Sequence, residues 1–99
     1  MMCVEEAAAC IVGSRASVGD IMTMADCLKE GLVQLGVSEF SEWTFAGPRK
    51  RQYVSTDDCI EQMLRKYMGE NVYLGDVLFM KEYVAKGCDK LGLSKACIF

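Results

Sequence analysis

The sequence predicts an all-α fold, a four-helix arrangement made of two tandem helix–turn–helix units related by a pseudo-twofold axis. Three observations predict it. Laid ungapped on residues 57–99, an offset of 56, residues 1–43 bring Gly13, Gly19, Gly31 and Gly36 onto Gly69, Gly75, Gly87 and Gly92. Apolar residues recur at three and four positions through each half, the period of an amphipathic helix. Capping residues and glycines then fall where such helices would start and stop.

The self-match extends beyond glycine. Cys3, Glu5, Asp20, Met24, Leu35 and Ser38 meet Cys59, Glu61, Asp76, Met80, Leu91 and Ser94, which makes ten identities in 43 pairs. The clearest stretch sets Val18-Gly-Asp-Ile-Met-Thr-Met against Leu74-Gly-Asp-Val-Leu-Phe-Met. Shared ancestry of the halves is the simplest account of such a period. The expected organisation is one domain, 1–99, with unit 1–43, a basic linker 44–56 and unit 57–99. Two separate cores would each be too small to sustain themselves.

The first helix is expected over about residues 2–12, ending at Gly13, where a left-handed cap costs least. Ser17 and Asp20 have the spacing of a capping box for a second helix. Val18, Ile21, Met22, Ala25, Leu28, Leu32 and Leu35 form its apolar stripe, and Gly36 ends it. Ser55 is the expected N-cap of the third helix, with Asp57 and Asp58 favourable at the positive end of its dipole. Ile60, Met63, Leu64 and Tyr67 make its stripe before Gly69. The last helix runs from about Leu74 to Leu91, with Leu74, Val77, Leu78, Val84, Cys88 and Leu91 expected inside.

Gly31 and Gly87 lie mid-helix, where glycine costs about 0.5–1 kcal/mol relative to alanine. Their recurrence at matched positions predicts that the two long helices cross there with backbones close together. Apolar residues off the stripes, including Met24, Phe40, Phe79, Met80 and Tyr83, suggest more apolar surface than four helices cover. Dimerisation is the expected outlet, with Gly31, Gly87, Phe79, Met80 and Tyr83 as the candidate interface.

The linker carries Gly47-Pro48, a turn signal, between β-favouring flanks, so a short β-hairpin with a basic tip is expected there. Residues 44–56 hold three basic and no acidic side chains, whereas the whole chain has a net charge of −3 and a pI of about 4.9. Arg49, Lys50, Arg51 and Tyr53, with Trp43 and Phe45 nearby, are the candidate nucleic-acid contacts. Against that, binding through charge usually comes with a broad basic face and a high pI. A localisation signal, or a solvated loop whose aromatics turn inward, fits the linker as well.

The chain has no histidine, which removes Ser-His-Asp and Cys-His catalysis and histidine-ligated metals. There is no P-loop and no Gly-x-Gly-x-x-Gly run. The cysteines lack zinc-knuckle spacing, and the inter-helix segments lack the oxygen ligands of an EF-hand. No enzyme activity, cofactor or metal is expected. The six cysteines are expected as thiols, because the N-terminal residues have no basic n-region and carry Glu5 and Glu6 where an export signal is apolar. An intracellular location follows as the expectation, with no membrane span. The leading functional expectation is a non-catalytic interaction or dimerisation module that pairs with itself or with a partner helix. A nucleic-acid-associated regulator is the alternative. A thiol-based sensor or metal carrier centred on Cys59 is the weaker one.

Overall fold

A computed structural model describes residues 3–13, 17–40 and 55–93. The fold is all-α, with helices α1 (Val4–Val12), α2 (Val18–Gln34), α3 (Thr56–Met68) and α4 (Leu74–Leu91), and no strand among the described residues. The hairpin expected in the linker falls on residues outside them. α2 packs on α1 and α4, and α3 packs on α1 and α4, so the four helices close into a ring around one core.

Sequence chemistry accounts for the helix ends. Ser17 Oγ accepts the Asp20 N–H at 3.2 Å while Asp20 Oδ2 accepts the Ser17 N–H at 3.4 Å. Ser55 and Asp58 repeat the same reciprocal pair at 3.2 and 3.4 Å for α3. Asp76 Oδ2 accepts the Tyr73 N–H at 3.2 Å at the start of α4. Asp20 and Asp76 are therefore capping residues, satisfying backbone donors that the first turn leaves open. At the other end, the Gly36 N–H donates to Val33 O and the Val37 N–H to Leu32 O, both at 3.0 Å. The Gly92 N–H donates to Asp89 O and the Leu93 N–H to Cys88 O in the same pattern. This double bond pattern is a Schellman ending, and it requires the positive φ of +97° at Gly36 and +68° at Gly92.

One register shift separates the two halves. Cys3 caps α1, with its Sγ accepting the Glu6 N–H at 3.4 Å. The matched Cys59 instead lies inside α3, because Ser55 starts that helix a turn earlier, one residue inside the expected linker.

The two long helices do meet at the glycines, though chiefly through side chains laid on them and not backbone against backbone. The side chain of Met24 on α2 covers Gly87 on α4, and that of Met80 on α4 covers Gly31 on α2. Moving from 24 to 31 along α2 moves from 87 to 80 along α4, so the helices run antiparallel. Both methionines are fully buried.

Their burial corrects the stripes read from spacing. Val18, Met22, Leu74 and Leu78, expected inside, are exposed, while Met24 and Met80, expected off the stripe, are core. Three-and-four spacing identifies an apolar face, but the neighbouring helix decides which edge of that face is covered. Here the glycines draw α2 and α4 together on the Met24 and Met80 side, which rotates the N-terminal leucines and their counterparts outward.

A Cβ at position 87 would lie 2.5 Å from Met24 Sδ and 2.9 Å from its Cε. In the native protein G87A is therefore expected to destabilise by about 1–2 kcal/mol, the crowding outweighing the gain in helix propensity. With Met24 truncated, the sign reverses: G87A in an M24A background stabilises by about 0.5–1 kcal/mol. Urea unfolding of the four proteins in this cycle checks it, and equal effects in both backgrounds would disprove the contact.

Candidate functional site

Three surfaces or clusters could carry chemistry. The first is an open groove of about 480 Å³ beside the α2–α4 crossing, lined by Asp26, Lys29, Glu30, Val33 and Gln34 from α2 and by Tyr83 and Lys86 from α4. Lys86 Nζ sits 4.5 Å from the centre of the Tyr83 ring, and Tyr83 tilts against Phe79 with centroids 5.3 Å apart. Both signs of charge face the groove, with no nucleophile or metal-ligand set. Among the described residues no group of three or more Cys, Asp or Glu side chains is placed to hold a metal ion. None of the helices there is long and apolar enough to cross a membrane.

The second is an apolar ridge at the start of α4. Leu74 and Leu78, one turn apart, are 74% and 53% exposed, and the adjoining Tyr73 is 71% exposed. The matched residues on α2, Val18 and Met22, are also exposed. Solvent-facing leucines on consecutive turns form a contiguous patch, whereas single exposed leucines are commonplace.

The third is a polar cluster that ties α1 to its neighbours. Glu5 is almost completely buried, and its Oε1 pairs with Lys29 Nζ at 3.2 Å. Glu5 Oε2 has no hydrogen-bond partner. The Lys29 ammonium also lies 5.9 Å from the Phe40 ring centre, and Phe40 meets Tyr67 edge-on at 5.6 Å. The Tyr67 hydroxyl in turn accepts the Val4 N–H at 3.2 Å, satisfying one open donor of α1. Glu5 is thus held in a buried ion pair, while its match Glu61 makes an exposed i,i+4 pair with Arg65.

Of the predicted interface residues, Gly31, Gly87 and Met80 are buried inside the chain at the α2–α4 crossing, out of reach of a second molecule. Phe79 and Tyr83 are half-buried, the latter on the groove. Arg49, Lys50, Arg51 and Tyr53 lie outside the described residues, as do Trp43 and Phe45. Sequence spacing missed the Leu74–Leu78 ridge by assigning it to the core. Its one signal was the pair of large apolar residues, Tyr73 and Leu74, where a helix starts.

The buried thiols have a common electrostatic character. Burial pushes the Cys3 and Cys27 thiols above their ordinary value, at Cys27 against the opposing pull of the Lys90 ammonium. Cys59, the sensor candidate, is 1% exposed and part of the core.

Comparison with known protein families, curated proteins and solved structures gives no match to this chain.

Two outcomes follow. K29M leaves Glu5 buried opposite an apolar side chain and is expected to cost about 2 kcal/mol, the low side for a broken buried pair because Lys29 is a third exposed. E5Q in that background recovers most of the loss, and chemical denaturation distinguishes the two variants. The thiols set an alkaline limit. In the unfolded chain Cys3 and Cys27 deprotonate near 9.0, but in the folded protein they hold their protons to higher pH. Their contribution is therefore complete below pH 9 and is lost as pH rises through the raised folded values. Thermal melts between pH 8 and pH 11 check this, and C27A should flatten the decline.

Proposed function

We propose that this chain is a non-catalytic interaction module that pairs with a second copy of itself through the ridge formed by Tyr73, Leu74 and Leu78. The exposure of two leucines one turn apart carries the reading, since burying each stabilises by about 1.5–3 kcal/mol. Val18 and Met22 present a smaller version of the same surface at the matching place on α2. A duplicated unit with two such surfaces suits symmetric self-association, in which one patch meets its equivalent.

Charge supports the same occupant. The groove between α2 and α4 carries Asp26, Lys29 and Glu30 along one wall and Lys86 on the other. In a twofold pair the carboxylates of each copy face the lysines of the other, giving register without a dedicated partner.

Sedimentation velocity across the micromolar range tests the proposal. The native chain should form dimers that disappear in L74D/L78D. That variant should keep its helicity and lose at most about 0.5 kcal/mol in folding stability, because both side chains face water. A native chain that stays monomeric throughout, or a dimer that persists in L74D/L78D, overturns it. Dissociation of the dimer at high salt with the ridge intact would overturn the apolar basis of the contact.

A further inference from the structure

The thiols of Cys10 and Cys59 lie 2.8 Å apart, with Cys59 Sγ donating to Cys10 Sγ. The two residues are 49 positions apart in the chain, one on α1 and the other on α3, so this contact joins the two halves. Other buried cysteines have different surroundings. Cys3 caps its own helix and exchanges hydrogen bonds with Glu6. Cys27 lies near Lys90. Cys10 and Cys59 bring sulfur against sulfur.

Access differs between the two sulfurs in a useful way. Cys10 is half-buried and borders solvent, while Cys59 is 1% exposed directly behind it. Thiol–disulfide exchange needs one sulfur that an oxidant can reach and a second that can displace it. The arrangement supplies both, on helices whose backbones are held by the surrounding core.

We propose that Cys10 and Cys59 are a redox-active pair that forms a reversible intramolecular disulfide, stapling α1 to α3, with a low-molecular-weight disulfide as the oxidant. Cys10 loses its proton to solvent, and the thiolate attacks one sulfur of the small disulfide. The S–S bond of the oxidant breaks and one small thiolate leaves. Cys59, once deprotonated, attacks the Cys10 sulfur of the mixed disulfide and expels the second small thiolate. Two electrons pass from the protein sulfurs to the oxidant, and the two released protons complete two small thiols.

The cross-link needs the sulfurs to approach from 2.8 Å to about 2.05 Å, a movement within the reach of side-chain adjustment. It closes a loop that contains the whole linker, so it restricts the unfolded chain strongly. The oxidised protein should therefore melt roughly 10 °C or more above the reduced one.

The test uses the full chain equilibrated in oxidised and reduced glutathione at a series of ratios, quenched with acid and alkylated. Peptide mapping by mass spectrometry should find Cys10 joined to Cys59 within one molecule. The link should vanish on return to excess reduced glutathione. C10S should abolish the link without a mixed disulfide at Cys59, while C59S should trap glutathione on Cys10. Joining of either cysteine to Cys97 or Cys88 instead overturns the assignment. So does a folded native chain in which Cys10 accumulates only the mixed disulfide, a result that needs no variant to fold.

Discussion

Two methionines laid over two glycines hold the long helices together, and the rest of the fold is arranged around that contact. A glycine inside a helix costs about 1 kcal/mol, so the pair Gly31 and Gly87 costs about 2. Full burial of Met24 and Met80 returns about 1.5–3 kcal/mol each. The exchange is favourable only if both methionines find a surface without a Cβ, which makes the four residues interdependent. Methionine suits the task because its unbranched thioether can lie flat along a helix groove. With α2 and α4 fixed at this spacing, α1 and α3 occupy the opposite side of the ring and complete the core.

Much of this was legible in the sequence, for reasons that differ by element. Helix ends were the most readable part, because Ser17, Ser55, Gly36 and Gly92 act on backbone groups only a few residues away. The long-helix crossing was readable because a mid-helix glycine has an intrinsic cost and appears twice at matched positions. What spacing left undecided was rotation about each helix axis. Met22 and Met24, or Leu78 and Met80, are equally apolar on paper. The choice between them depends on where the neighbouring helix lies, and that information is non-local. Leu74 and Leu78 were misplaced for this reason. The Glu5–Lys29 pair was hidden by the same limit, because it joins helices that no periodicity connects.

The two halves are unequal in ways that follow from volume. α1 carries Ala7 and Ala8 where α3 has Met63 and Leu64 at the matched positions, all four buried. Alanine lets α1 pack closely on α2. Large side chains on α3 fill the centre that the small ones leave open, so total core volume is shared between the halves. The two halves share one core, since neither buries a sufficient one alone.

The same inequality bears on which surface is left for a partner. At the first turns of α4, Val77 faces the core while Tyr73, Leu74 and Leu78 lie in water. On α2 the matching turn is smaller and less exposed, with Val18 and Met22 in place of two leucines. An apolar ridge at a helix N-terminus is unfavourable for the isolated chain and lies off the face of α4 that enters the core, where Val77, Met80 and Val84 are buried. The energetic argument therefore separates folding from association. The Met–Gly contacts belong to the core that folding buries, and the α4 ridge is apolar area that only a second surface can remove from water.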